Sequence, residues 1–373
     1  MDLKKLINPG ILNLKPYEPG KPVEDLEREL GIKNAIKLAS NENPMGPSPL
    51  ALKAVDNILS GIHRYPDGNA LRLKEAISNE NNVEIEQITV GNGSNDIIEF
   101  VVRSFLSRED SAVFSKHAFA VYPLAVQTVG AQGIEVPAKD WGHDLSAMNN
   151  AIQENTKLIF IANPNNPTGT FLPRDEIISF LDKVSKDVIV LLDQAYFDYA
   201  AYENNDIDFE FINEFPNLII SRSFSKAYGL AGFRVGYSVS SRAITDYLNR
   251  VRQPFNANSL ALVAAEAALS DKDHMMRSLK MNSEQKMVLY KGLEDLGYQY
   301  IPSAGNFICF DCKQDAEEKF NELLKEGVIA AMVDSRSQKL KAHRMMEQRG
   351  ITAVALLPGI SDGCGPTGDE RQS

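Results

Sequence analysis

The chain has 373 residues, 43% of them hydrophobic, which is enough for one large domain and a smaller one. Its net charge of −11 and its lack of a basic block argue against nucleic acid and anionic membranes as partners. We find no signal-peptide core, no apolar run of membrane-spanning length and, with three cysteines, no disulfide framework. We therefore expect a cytoplasmic protein. The five scattered histidines and the lone Cys309–Cys312 pair predict no metal site.

The first two-thirds of the chain predicts an α/β domain. Residues 1–37 predict an arm and a short charged helix, joined by a proline-rich link at 14–22, and helical spacing marks 49–59 and 71–79. Apolar runs then follow at 88–90, 111–114, 133–136, 158–162, 188–192 and 217–220. Helical patterns separate several of them, at 96–106 and 174–184. Continuous apolar strands between helices are typical of a largely parallel sheet covered on both faces.

A turn-rich break at 253–258 ends this pattern. Helical spacing follows over 259–296, then strand-like runs at 298–301 and 307–310 and a helix at 316–325. This order predicts a smaller α+β domain. We divide the chain into an arm that partly joins the small domain (1–40), a large domain (41–257), a small domain (258–329) and an atypical tail (330–373).

Polar residues follow three of the predicted parallel strands, where the strands deliver their chemistry. Residues 91–96 place two glycines and Ser94 at a helix start, a pattern that binds a phosphate through backbone amides. A dinucleotide site is the rival reading, but a third glycine and an acidic residue after the next strand are absent. A plain helix cap is the structural alternative.

The next two strand ends carry turn residues and a carboxylate. Residues 163–169 are rich in asparagine and proline, which is turn chemistry that can also line a site. Asp193 follows five apolar residues, so it either caps the next segment or lies partly buried opposite a positive charge. A pyridinium nitrogen is one such charge.

The stretch 221–236 holds Lys226 in a small-residue loop after an apolar strand. Ser223, Ser225 and Arg234 surround it in the sequence, and serine hydroxyls, backbone amides and an arginine together can bind a phosphate. A lysine at such a place can form a Schiff base with a phosphate-bearing aldehyde. An ordinary solvated lysine is the alternative.

Together, these stretches resemble the pyridoxal-phosphate aminotransferases of the aspartate aminotransferase fold, and most closely the histidinol-phosphate aminotransferase family. The resemblance spans about residues 12–328. The stretches that carry it are 38–44, 64–67, 117–122, 163–169, 223–226 and 252–256. It implies a large α/β domain with a mostly parallel seven-stranded sheet, helices on both faces, and a smaller α+β domain.

The resemblance also implies the cofactor pyridoxal 5'-phosphate and a role for each matching residue. Lys226 would bind the cofactor aldehyde and shuttle the proton, Asp193 would pair with the pyridine nitrogen, and Tyr196 and Asn166 would bind the phenolic oxygen. The remaining cofactor residues would be Phe119 on the ring face and, at the phosphate, Gly93, Ser94, Asn95, Ser223 and Arg234. Tyr65 would come from the neighbouring subunit of a homodimer, and Tyr17 and Asn41 would lie at the substrate.

The implied reaction moves an amino group between L-histidinol phosphate and 2-oxoglutarate, in histidine biosynthesis. Alternatives on the same scaffold are an aromatic amino-acid aminotransferase and a phospho-amino-acid decarboxylase. A non-catalytic cofactor-binding relative and a nicotinamide dehydrogenase are further alternatives, and the dehydrogenase predicts no Schiff base at Lys226.

The tail departs from the family. The two family arginines that bind the substrate phosphate and the incoming carboxylate have no counterpart that we can place after residue 329. Arg336, Arg344 and Arg349 are candidates only because they are nearby. The glycine-rich end predicts that the small domain's sheet stays incomplete. We hypothesise a change of reading frame or splice after about residue 329, which would weaken substrate binding and leave cofactor binding intact.

Overall fold

The computed structural model describes residues 3–12, 14, 22–203, 208–313, 316–332 and 351–355. The α-helices in these ranges are α1 (Val23–Leu30), α2 (Pro49–Asp56), α3 (Leu71–Asn81), α4 (Ser94–Phe105), α5 (Val121–Thr128), α6 (Leu145–Asn150), α7 (Arg174–Leu181), α8 (Phe197–Glu203), α9 (Arg242–Val251), α10 (Ser259–Ser270), α11 (Lys272–Asp295) and α12 (Ala316–Lys325). The strands are β1 (Ile36–Lys37), β2 (Ile88–Gly91), β3 (Ser111–Ser115), β4 (Gln132–Val136), β5 (Thr156–Ala162), β6 (Ile189–Asp193), β7 (Leu218–Ser223), β8 (Gly236–Ser240), β9 (Tyr300–Ile301), β10 (Phe307–Asp311), β11 (Val328–Ile329), β12 (Ala331–Met332) and β13 (Ile351–Ala355).

Seven strands form the main sheet, in the order β2-β8-β7-β6-β5-β3-β4. Strand β8 runs antiparallel to both of its neighbours, and the other pairs are parallel. The predicted mostly parallel seven-stranded sheet is thereby confirmed. The sequence analysis did not predict β8, because its alternating small polar residues lack a strong apolar run.

Helices cover both faces of this sheet. Along β5, Ile159 and Ile161 belong to a core that includes residues of α3, α7 and α10, whereas Leu158 and Phe160 belong to a second core with α4, α5 and α9. Successive side chains of a strand point to opposite faces, so a strand that is buried on both faces is continuously apolar. The prediction of a two-sided core is confirmed.

The register brings the polar strand ends together. Ala162 at the end of β5 lies opposite Asp193 at the end of β6, and Asp193 lies opposite Ser221 on β7. Three parallel strands therefore end at neighbouring points on one edge of the sheet. The Asn163–Gly169 loop, Asp193 and the Lys226 loop all follow from this edge.

The smaller unit contains an antiparallel sheet in the order β12-β13-β10-β9 and a parallel pair, β1 with β11. The prediction that the tail leaves the small domain's sheet incomplete is wrong at residues 351–355, since β13 pairs with β10 from Phe307↔Ala355 to Asp311↔Ile351. This segment reads Ile-Thr-Ala-Val-Ala, and its β-branched residues favour a strand. The domain boundaries given above stay a prediction. In the described ranges, every helix is too short or too polar to cross a membrane.

Candidate active site

Lys226 lies just beyond β7, and its side chain is half-buried. Its Nζ donates a hydrogen bond of 2.9 Å to the Ser40 carbonyl and lies 5.5 Å from the centroid of the Tyr196 ring. Burial lowers the pKa of this amine to about 8; Glu42 opposes the shift and the Arg234 guanidinium adds to it. The amine therefore loses its proton far more readily than an ordinary lysine, as an amine that attacks an aldehyde must.

Asp193 ends β6, and its side chain is buried. One oxygen, Oδ1, accepts hydrogen bonds from the Ala195 amide (3.1 Å) and the Ser221 hydroxyl (3.3 Å). The other, Oδ2, accepts a hydrogen bond of 2.8 Å from the Tyr122 hydroxyl. Burial raises the pKa of the carboxyl even though these hydrogen bonds act to lower it. A buried carboxylate of this kind is stabilised by a cation, and a protonated pyridine nitrogen is a fitting one.

Tyr196 brings two predicted residues together. Its hydroxyl accepts hydrogen bonds from Asn41 Nδ2 (2.9 Å) and Asn166 Nδ2 (3.2 Å), which come from distant parts of the sequence. Its buried ring packs edge-on against Phe307, with centroids 5.1 Å apart. The hydroxyl is thus fixed between two amides near Lys226.

Gly93 and Arg234 form a close-packed corner at the start of α4. Gly93 is the N-cap residue of α4, with φ 84°, and it offers no side chain to the first helical amides, those of Ser94 and Asn95. A Cβ on Gly93 would collide with the Arg234 guanidinium. A helix N-terminus beside a guanidinium is an anion-binding arrangement.

Two serines extend this corner toward Lys226. Arg234 Nη1 donates a hydrogen bond of 3.2 Å to the Ser225 hydroxyl. The Ser225 amide in turn donates to the Ser223 hydroxyl oxygen at 3.1 Å. The residues that the resemblance assigns to a phosphate therefore lie in one contiguous group next to the lysine loop.

Comparisons with known proteins agree with this geometry. Residues 33–338 match the family described as aminotransferase class I and II. The chain belongs to this family. It is 53% identical to a histidinol-phosphate aminotransferase 2 of Pseudomonas fluorescens, covering 89% of this chain and 90% of that protein. It is 49% identical to histidinol-phosphate aminotransferase 1 of Idiomarina loihiensis, covering 88% of this chain and 90% of that protein.

Solved structures give the same picture of the fold. The crystal structure of histidinol-phosphate aminotransferase from Sinorhizobium meliloti in complex with pyridoxal-5'-phosphate superposes with a TM-score of 0.83 at 27% identity, covering 94% of this chain and 93% of that one. Aspartate aminotransferase from Thermus thermophilus has a TM-score of 0.77 at 18% identity, covering 94% of each chain. The expected aspartate aminotransferase-like fold is confirmed.

The aminotransferase places Phe119 next to a residue that the sequence analysis did not assign to the site. Half-buried Phe119 meets the ring of Tyr122 edge-on, with centroids 5.7 Å apart. Tyr122 is fully buried and donates to Asp193. Its only sequence signal was its place in the 117–122 stretch, three positions after Phe119, which an ordinary core tyrosine would share.

Tyr65 lies on the outside of this aminotransferase chain. It is 81% exposed and stacks on Phe255, with ring centroids 4.7 Å apart. Tyr17, the predicted substrate residue of the arm, lies outside the described residues. So do Arg336, Arg344 and Arg349, the tail arginines considered above as candidates.

Proposed function

We propose that this chain is a pyridoxal-phosphate-dependent transaminase that moves the amino group between L-histidinol phosphate and 2-oxoglutarate. The observation that carries the proposal is the grouping of Lys226, whose pKa is lowered, and buried Asp193 at one edge of the sheet. The choice of substrate is supported by sequence identities of 49% and 53% to proteins named histidinol-phosphate aminotransferase.

The residues present fit the cofactor at each of its polar groups. The Asp193 carboxylate would hold the ring nitrogen in its protonated form, and the corner of Gly93 and Arg234 would bind the phosphate. Asn166 and Tyr196 would donate to the phenolic oxygen, and Phe119 would lie on the ring face. The remaining phosphate contacts would come from Ser94, Asn95 and Ser223.

When bound, pyridoxal phosphate supplies an electron sink for the carbon that carries the amino group. The Lys226 amine would attach the cofactor aldehyde, and would later take the proton from that carbon. Asn41, fixed on Tyr196, would help to enclose the substrate, with Tyr17 from the arm. The small-molecule partners are thus an amino donor and a 2-oxo acid.

The experiment that tests this function follows cofactor attachment and then a half-reaction. Borohydride added to the cofactor-loaded protein should leave the cofactor mass on the Lys226 peptide. In a separate sample without borohydride, L-histidinol phosphate should convert the bound cofactor to its amine form, and 2-oxoglutarate should restore it. Phenylalanine and O-phosphothreonine, tested in parallel, separate aromatic transamination and decarboxylation. Cofactor attachment without any half-reaction would identify a non-catalytic relative, and no label on Lys226 would refute the proposal.

We further propose a homodimer with shared sites, in which Tyr65 of one subunit reaches the cofactor of the other. The exposed Tyr65–Phe255 stack supports this, because an exposed pair of large aromatic side chains is typical of a contact surface.

Mixing two inactive variants tests the shared site. Lys226→Ala and Tyr65→Ala should each have little activity alone. Hybrid dimers contain one intact site and should regain up to about half of the wild-type activity. Activity that stays low in refolded mixtures, with dimers present in sedimentation, would contradict the shared site.

A further inference from the structure

Tyr122 and Asp193 form a buried hydrogen-bonded pair at the proposed cofactor site. The Tyr122 hydroxyl donates to Asp193 Oδ2 at 2.8 Å. Tyr122 is fully buried and Asp193 is 5% exposed. A hydrogen bond to a charged group in such a place is among the stronger ones in a protein.

The tyrosine is held rigidly by its surroundings. Its ring stacks on Phe160 of β5, with centroids 4.6 Å apart and planes 14° apart, and Phe119 packs against its edge. Helix α5 therefore fixes the hydroxyl relative to the sheet. The neighbouring strand β6 fixes Asp193, so both partners stand on regular elements rather than loops.

We propose that Tyr122 is a positioning residue, which keeps the Asp193 carboxylate charged and oriented toward the cofactor nitrogen. This inference rests on the proposed function. Oδ1 accepts hydrogen bonds from the Ala195 amide and the Ser221 hydroxyl, and Oδ2 accepts one from the Tyr122 hydroxyl. Hydrogen bonds therefore fix both carboxylate oxygens. Without the Tyr122 donor the carboxylate becomes more basic. It would then take the proton from the ring nitrogen, and the electron sink would weaken.

The electrostatics agree with this role. Burial raises the pKa of Asp193, and the hydrogen bond from Tyr122 is the largest effect that opposes the rise. Burial and the nearby Asp193 charge also raise the pKa of Tyr122 well above its ordinary value. The tyrosine therefore keeps its proton and stays a donor throughout the working range of pH.

Tyr122→Phe tests the proposal, because it removes the hydroxyl and keeps the ring that stacks on Phe160. The cofactor, labelled with ¹⁵N in its ring, should show a nitrogen signal shifted toward that of unprotonated pyridine. The cofactor dissociation constant should rise about tenfold. Tyr237→Phe is the matched control, since Tyr237 is also a buried tyrosine, packed on Phe224 away from Asp193.

The control variant should retain the wild-type nitrogen signal. A purely structural role of Tyr122 would likewise leave the nitrogen signal of Tyr122→Phe unchanged. A wild-type nitrogen signal in Tyr122→Phe would overturn the proposal. If this variant fails to fold, Tyr122→3-fluorotyrosine replaces it: its more acidic hydroxyl is a stronger donor, so the nitrogen signal should stay protonated to a higher pH than in the wild type. A wild-type pH profile of the signal would overturn the proposal. A wild-type protein that binds no cofactor would overturn the proposed function and this inference together. A Tyr122→Phe variant that binds the cofactor with a wild-type nitrogen signal would overturn only the inference.

Discussion

The lowered pKa of Lys226 predicts a pH-dependent stability of the cofactor-free protein. In the folded chain the pKa falls from its ordinary value of 10.5 to about 8, chiefly because burial disfavours the charged amine. Between these two values the unfolded chain holds a proton that the folded chain has released. The free energy of unfolding should therefore rise with pH from about 8 to 10.5, and the contribution is lost as the pH falls through 8.

The size of the effect follows from the shift. A pKa unit corresponds to about 1.4 kcal/mol, so the full change is about 3 kcal/mol. Because the Lys226 side chain is half-buried rather than sealed from water, solvent screening should reduce it to about 2 kcal/mol. Lys226→Met removes the titration and leaves a side chain of similar length.

Urea unfolding of the cofactor-free protein at a series of pH values measures this, at one protein concentration. Between pH 7 and 11, the free energy of unfolding of the wild type should rise by about 2 kcal/mol relative to that of Lys226→Met. The lost hydrogen bond to Ser40 adds only a constant offset, so the slope carries the test. Lys280→Met, which removes a lysine with a 68% exposed side chain, controls for the loss of a surface charge. A flat difference between wild type and Lys226→Met would refute the reasoning.

Two further substitutions test the phosphate corner and a buried ion pair. Gly93→Ala should weaken cofactor binding about tenfold or more, measured by fluorescence titration, because its φ is +84° and its Cβ would collide with Arg234. Gly292→Ala, where a Cβ meets nothing within 4 Å, should bind the cofactor normally. Lys286→Met should lower the free energy of unfolding by about 2 kcal/mol, because buried Lys286 pairs with Glu203 at 2.9 Å and the carboxylate would lose its cation.

Each of these predictions can be contradicted by a specific result. Equal cofactor affinity of Gly93→Ala and wild type would show that the corner does not hold the phosphate. For the ion pair, Lys280→Met serves as the exposed control and should change the urea midpoint little. A Lys286→Met protein as stable as wild type would show that the pair contributes nothing net.

The local patterns of the sequence predicted most of the α/β core and the chemistry at its edge. Continuous apolar runs such as 158–162 and 188–192 identified central strands, because only strands covered on both faces need no polar side. Asp193 and Lys226 could be identified because each follows an apolar strand, at the point where the sequence becomes polar or rich in small residues. Such signals are local, because they depend on neighbouring residues in the sequence and not on which segments meet in the folded structure.

Tertiary structure alone decided the contacts between distant segments. Tyr122 and Asp193 are 71 residues apart in the chain and meet only because α5 packs on the sheet beside β5 and β6. The small polar strand β8 is buried because it lies between β2 and β7, and β13 is a strand because β10 and β12 offer it two edges. Propensity and periodicity describe what a segment can form. The rest of the molecule supplies burial and hydrogen-bond partners. These tertiary contacts determine which of the possible structures each segment adopts in the folded chain.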